Sequence, residues 1–308
     1  MRTKQQILTD VLGLPRRSSE EYLYKCPFCK HHKHKLSVNF DKNVYKCWIC
    51  NTTGKSIGRL VKLFGSFDAK QQWSYHEDDV DISKFEELFQ DKKPQLETLI
   101  NLPEEFESLA NRTLIDGSEK PLKYLYERGL TREDILKWKI GWCPSGPYYD
   151  RIIVPSFNND GWVNYFISRT FTNAFPKYKN PQASKNVIFN ELYLDWDRPI
   201  TLVEGVFDAI KADNAVPLLG STLTENSRLF QEIIKRNATV YLALDGDAKK
   251  KEMDILEMLL AYDNPVYVVD VDGYNDVGEM TKQEFQKRKK EASLIDQSNY
   301  LLTKMFSF

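Results

Sequence analysis

The chain has 308 residues, with 43 Lys and Arg against 44 Asp and Glu for a formal net charge of −1, and is 42% hydrophobic and 13% aromatic. That composition is too apolar for a largely disordered protein, and the length suits roughly two domains with enough core to need no disulfide staples. No run of about 18 apolar residues would span a bilayer and no apolar signal segment opens the chain, so a cytoplasmic protein without a membrane partner is expected.

The near-zero total charge conceals blocks. Residues 22–62 hold nine Lys/Arg against one acid, residues 77–119 hold thirteen acids against four bases, and residues 120–191 hold eleven bases against six acids. The alternation suggests a polyanion-binding face, an acidic spacer and a second charged working domain.

In chain order, the first strong signal is Cys26-Pro-Phe-Cys29 followed by Cys47-Trp-Ile-Cys50. Leu36-Ser-Val-Asn-Phe40, a turn at Asp41-Lys-Asn43 and Val44-Tyr-Lys46 read as a hairpin that brings the two C-x-x-C knuckles together. Four thiolates so placed suit one tetrahedral Zn²⁺. His31, His32 and His34 stand beside a complete four-cysteine set, where exposure or a phosphate contact is expected of them. Phe40, Tyr45 and Trp48 alternate with Lys35, Lys42 and Lys46, a pattern that serves either base stacking on a single strand or packing over the metal. Gly54-Lys55-Ser56 resembles the end of a P-loop, but Ile49 occupies the place of the required first glycine, so no motor is encoded there. Ile57, Leu60, Val61 and Phe64 have helical spacing that closes the module.

Residues 65–110 read as an acidic linker with short helical patterns such as Phe85-Glu-Glu-Leu-Phe89. Beyond it, Tyr124-Leu-Tyr-Glu-Arg128-Gly129 precedes Thr131, an N-cap for a helix over residues 132–138. Arg151-Ile-Ile-Val-Pro155 and Trp162-Val-Asn-Tyr-Phe-Ile-Ser168 read as paired strands about the Asn158-Asn-Asp-Gly161 turn. Arg169, Lys177, Lys179 and Lys185 follow closely and are candidates for holding phosphates.

From 199 to 276 apolar strands alternate with helical patterns: a strand at Ile200-Thr-Leu-Val203, a helix over 206–212, a strand over 239–244, a second helix with Met253, Leu256, Leu259 and Leu260, and a strand over 265–271. This β-α-β-α-β order implies a parallel sheet, whose working edge is the carboxyl end of its strands. Glu204, Asp245, Asp247 and Asp276 all fall at that edge, and Asp208 faces it from the first helical turn. Carboxylates gathered in that number repel one another and call for Mg²⁺ or Mn²⁺, two of which would serve an in-line phosphoryl displacement. Cys143 reads as a packed thiol, and the tail apolar residues Leu301, Leu302, Met305 and Phe308 as a docking element on this chain or on a partner.

These residues resemble the bacterial DnaG-type DNA primases in their shorter bacteriophage form. The cysteine pairs are similar to the primase zinc ribbon, with Cys29 where cellular enzymes commonly have histidine. Tyr124 to Leu130, Ile140-Gly-Trp142, Arg151-Ile-Ile-Val-Pro155 and Pro176-Lys177-Tyr-Lys-Asn-Pro181 resemble the polymerase-domain signatures. Val203-Glu204-Gly-Val-Phe-Asp208-Ala and Leu244-Asp245-Gly-Asp247 resemble the Toprim motifs.

The resemblance implies a mixed α/β chain: a zinc ribbon over 1–65, a linker over 66–110, and a polymerase domain over 111–308 with a Toprim core over about 199–276. It implies that Cys26, Cys29, Cys47 and Cys50 hold Zn²⁺, that Glu204, Asp245 and Asp247 hold the catalytic metal, with Asp208 and Asp276 completing or flanking a second site, and that Arg128, Arg169 and Lys177 grip template or nucleotide phosphates. A further lysine expected shortly before Leu192-Tyr193 is replaced by Phe189-Asn-Glu191, with Lys185 as the substitute. The implied activity is synthesis of short RNA primers from ribonucleoside triphosphates on single-stranded DNA, with a replicative helicase as a separate partner. A RecR-like, non-catalytic recombination mediator also joins a four-cysteine site to a Toprim fold and is the competing expectation.

Overall fold

The computed structural model describes residues 2–18, 21–76, 99–220, 222–295 and 300. Helix α1 (Lys4–Leu12) opens it, started by a capping box in which the Thr3 hydroxyl accepts from Gln6 N and the Gln6 side chain accepts from Thr3 N. Strands β1 (Arg16–Ser18), β2 (Glu21–Lys25), β3 (His34–Asn39), β4 (Val44–Cys47) and β5 (Thr53–Gly54) follow, forming one antiparallel sheet in sequence order. The expected hairpin is β3 and β4, with Val38 opposite Tyr45.

Helices α2 (Gly58–Phe64) and α3 (Phe67–Ser74) complete this unit. The sheet and all three helices share one core of Ile7, Leu8, Tyr24, Leu36, Tyr45, Leu60 and Trp73 among others. Thus α3, which falls in the stretch read as linker, is held to the ribbon because Ala69 and Trp73 are buried there. At the other end of that stretch, β6 (Glu107–Ser108) pairs with β7 (Gly141–Cys143), and Ile100 N donates to Val163 O. Residues 77–98, including the Phe85–Phe89 pattern, lie outside the described residues, as do Leu301, Leu302, Met305 and Phe308.

Helix α4 (Glu119–Glu127) and helix α5 (Arg132–Lys137) lead into the second antiparallel sheet. Thr131 caps α5 in a reciprocal box with Asp134, as its position predicts. Strands β8 (Arg151–Phe157) and β9 (Val163–Thr170) pair across the Asn158–Gly161 turn, extending β6 and β7 to the order β6-β7-β8-β9. The Asn158 side chain fixes that turn by accepting from Asp160 N and Trp162 N.

The third sheet comprises β10 (Ile200–Val203), β11 (Ala215–Pro217), β12 (Val240–Leu242), β13 (Val266–Val268) and β14 (Ser293–Ile295), in the order β11-β10-β12-β13-β14. Helices α6 (Val206–Lys211), α7 (Arg228–Arg236), α8 (Lys249–Ala261) and α9 (Lys282–Glu291) surround it. The first four strands are parallel and β14 is antiparallel to β13. The expected β-α-β-α-β order therefore stands, with additions it did not contain: β11 and α7 between α6 and β12, and α9 with the β14 edge after β13.

Both faces of the sheet are covered, as a parallel sheet requires. Ile200, Leu202, Val240 and Leu242 pack with Phe230, Ile233, Leu256 and Leu259 of α7 and α8. On the opposite side Val203, Phe207 and Ile210 share a core with Ile152, Val154 and Tyr165 of the antiparallel sheet, so the two sheets are joined by apolar packing. Among the described residues no helix is long and apolar enough to cross a membrane.

The ribbon docks on the parallel sheet around the turn between α8 and β13. Lys33 Nζ donates to Asn237 Oδ1 (2.9 Å) and Asp263 O (2.8 Å), and His34 N donates to Asp263 Oδ2 (2.9 Å). Arg16 also pairs with Asp263, while Trp48 meets Tyr262 edge-on at 6.2 Å between centroids. Lys35 is fully buried, its ammonium donating to Asn264 Oδ1 at 2.6 Å. Burial first, then the neighbouring Lys33 charge, pulls that lysine down to about 7.

Candidate active site

The four cysteines converge as their spacing predicts. Their sulfurs all lie within 4.8 Å of one another, with Cys26 and Cys50 3.8 Å apart and Cys29 and Cys47 3.9 Å apart. A tetrahedron with Zn–S bonds of ~2.3 Å has edges of ~3.8 Å, so the set fits a structural zinc ion. The histidines stay outside it: His31 stacks on His32 at 4.5 Å, and His34 is spent on Asp263. Of the aromatics weighed for base stacking, Tyr45 is core, lying so close under Gly54 that a Cβ there would come within 2.1 Å of its ring. Trp48 serves the docking contact, and Phe40 packs edge-on against Tyr22 at 5.2 Å.

The second constellation is built by strand ends. Glu204 follows β10, Asp245 and Asp247 follow β12, and Asp276 follows β13 as the cap of a short 3₁₀ turn over Val277–Glu279. Asp208, in the first turn of α6, ties two of these loops together. Its Oδ2 accepts from Gly205 N (2.8 Å) and its Oδ1 from Gly278 N (2.9 Å). A Cβ at either position would stand 2.9 Å from an Asp208 oxygen, and at Gly278 also 3.1 Å from Asp276, so a larger residue there would displace these carboxylates. The sequence drew attention to the acids but not to this pair of glycines.

Electrostatics marks the same edge. Burial, then the charges of Asp208, Glu204, Asp276 and Asp247, push the Asp245 carboxyl up to about 7. Asp208 is raised to about 6 by burial and then Asp276, against the two backbone donors and Arg128 that favour its charge. Glu204 Oε1 and Asp245 Oδ1 are buried without a hydrogen-bond partner. Hard, mutually repelling oxygens with open valence are what Mg²⁺ or Mn²⁺ would satisfy, so the residues present fit such a cation. Among the described residues the four cysteines are the one set that closes as a metal-ligand group.

Beside the acids lies a guanidinium pair. Arg128 and Arg169 stand over the same Phe207 ring, at 4.7 and 5.3 Å from its centroid. Arg169 is further fixed by donating to the hydroxyls of Tyr124 and Tyr178, each at 2.6 Å. Arg128 is close enough to the edge to act on Asp208, and its Nε is buried without a partner. Lys177 is exposed on the segment that runs beside β9, where its carbonyl accepts from Thr170 N. Lys185 donates to the Leu219 carbonyl at 3.3 Å, just beyond β11. Tyr124, Phe207 and Tyr178 fall inside the quoted motifs, but the sequence assigned them no role in holding the arginines, and Lys251, which reaches Glu204 at 3.2 Å, was hidden in a lysine run.

Comparisons with known proteins agree with this architecture. Residues 4–82 match the CHC2 zinc finger family, the DnaG zinc ribbon. A DNA primase from Staphylococcus epidermidis is 22% identical over 339 residues, covering 85% of this chain and 54% of that protein. One from Halalkalibacterium halodurans is 25% identical, covering 80% of this chain and 50% of that protein. The chain thus spans about half the length of these relatives.

Among solved structures, the zinc-binding and RNA polymerase domains of Aquifex aeolicus primase cover 94% of this chain and are covered over 83% of their own, at 21% identity and a TM-score of 0.50. A DnaG primase catalytic domain bound to ssDNA covers 62% of this chain, over 77% of its own, at 22% identity and a TM-score of 0.52. With a four-cysteine set that matches the DnaG zinc ribbon and a carboxylate edge on a parallel sheet, the chain is similar to the bacterial DnaG-type primases and shares the fold of their zinc-binding and RNA polymerase domains.

Proposed function

We propose that the chain is a DNA-directed RNA polymerase of the primase type, a nucleotidyltransferase that makes short RNA primers on single-stranded DNA for replication. The observation that carries this reading is the juxtaposition at one sheet edge of the acids around Asp245 with two guanidiniums held over Phe207. Glu204, Asp245 and Asp247 would hold Mg²⁺ or Mn²⁺, with Asp208 and Asp276 flanking. Such ions supply charge neutralisation on the phosphate and a more acidic hydroxyl.

The chain's own residues do the positioning. Arg128 and Arg169, immobilised by Phe207, Tyr124 and Tyr178, present forked donors to phosphate oxygens, and exposed Lys177 adds a mobile cation. Attack of the 3′ oxygen on the α-phosphorus forms one P–O bond, breaks the bond to pyrophosphate and releases the hydroxyl proton. The ribbon, at the head of the acidic stretch, holds the template, and a separate replicative helicase is the expected partner. The site of action is the cytoplasm, that of the host if the chain is phage-encoded.

The test is incubation of the zinc-loaded chain with single-stranded DNA, ribonucleoside triphosphates and Mg²⁺. New short RNA supports the reading, and its absence on varied templates, or its persistence in a folded Asp245→Asn variant, overturns it. The mediator alternative gives no role to the Arg128–Phe207–Arg169 cluster and predicts DNA binding with no RNA product.

A further inference from the structure

Lys249, Lys250 and Lys251 begin α8, at the positive end of the helix dipole where cations are disfavoured. Lys249 offsets this locally by pairing with buried Glu252 at 3.5 Å. Lys251 does something else: it reaches across to Glu204 Oε2, 47 residues earlier in the chain, at 3.2 Å. Both side chains are largely shielded, at 19% and 22% exposure, so solvent screens the pair less than a surface ion pair. The other oxygen, Glu204 Oε1, is buried with no partner, as is Asp245 Oδ1 beside it.

A lysine ammonium is a compact point charge with three donors, and here it lies on an oxygen of the very acid that opens the carboxylate edge. We propose that Lys251 is a built-in counter-cation that occupies Glu204 and competes with divalent metal for it, so that it sets the metal concentration at which the edge fills. The inference rests on the metal reading of this edge given above. It adds that filling is an exchange of cations: the ammonium leaves Glu204 as the divalent ion arrives. Lys251 is therefore a positioning residue acting through Glu204.

The experiment is a Mn²⁺ titration of the zinc-loaded full chain without DNA or nucleotide, followed by the electron paramagnetic resonance signal of free Mn²⁺. Lys251→Met is expected to bind Mn²⁺ about tenfold more tightly than wild type, equivalent to ~1.4 kcal/mol. Lys251→Arg, which keeps the cation, is expected to stay near wild type, and Lys250→Met likewise because Lys250 is exposed. In a Glu204→Gln background the Lys251→Met substitution is expected to have no further effect, since the coupling is pairwise. Equal or weaker binding by a folded Lys251→Met, or equal tightening by Lys250→Met, overturns the proposal while leaving the metal reading intact. If wild type and every variant leave free Mn²⁺ untouched, the metal reading itself falls and the counter-cation falls with it.

Discussion

The two ligand-rich regions of this molecule solve opposite problems. In the ribbon, four sulfurs close on a point, each knuckle is a tight turn, and the β3–β4 hairpin fixes the distance between them. At the sheet edge, five acids come from four separate loops or turns and are met by backbone N–H groups, an arginine and a lysine. A closed set of soft ligands stabilises a fold; an open set of hard ligands keeps valence for a substrate. The difference teaches that ligand chemistry and placement together distinguish a structural metal set from the arrangement proposed to work on substrate.

The comparison breaks first, and hardest, at the ribbon. Cys47→Ser is expected to abolish zinc retention and unfold residues 22–64, since metal in so small a module contributes on the order of 10 kcal/mol to folding. Zinc content and amide exchange over that segment check it; retained protection would mean that the apolar core of Leu36, Tyr45 and Leu60 suffices.

At the edge the opposite outcome is expected. Asp245→Asn should lower primer synthesis by at least about a hundredfold, the scale of losing one preorganised electrostatic group, yet leave circular dichroism unchanged. Its effect on stability has a definite sign. A carboxyl whose value rises on folding from 3.8 to about 7 favours the folded state in its neutral form, so its contribution becomes destabilising as pH climbs between those values. Without divalent metal, the Tm of wild type should therefore fall more across pH 4 to 7 than that of Asp245→Asn, and Mg²⁺ should reduce the difference.

Smaller effects are expected where the regions meet. Asp263→Ala removes the acceptor shared by Arg16 and His34, and about 2 kcal/mol of docking should go with those charged hydrogen bonds. Faster amide exchange at residues 33–35 with unchanged zinc content would show it. The smallest change comes from Phe207→Leu, which leaves both guanidiniums in place without their ring. A loss of about 1 kcal/mol in template or nucleotide affinity is expected, read as a KM increase with kcat nearly unchanged.

Legibility in the sequence followed locality. The cysteine pairs, the β3–β4 hairpin and the Thr131 cap are determined within a few residues and were readable as such. The acids were readable because parallel strands deliver whatever follows them to one edge. What escaped depends on partners distant in sequence. Strand β11 has only three residues, ends in Pro217 and owes its place to pairing with β10. Lys35 and Lys33 looked like members of a basic face, but Asn264 and Asp263, some 230 positions later, consume them. Lys251 was indistinguishable from its neighbours until folding set it on Glu204.

The docking turn has a geometric consequence. Asp263 and Asn264 stand just before β13, and Asn237 just before β12, whereas Asp245 and Asp276 stand after those strands. Lysines of the ribbon and acids of the edge thus occupy opposite ends of the same parallel strands. The sheet keeps the ribbon's docking contacts and the acid edge at separate ends, so a change at one leaves the other's hydrogen bonds untouched.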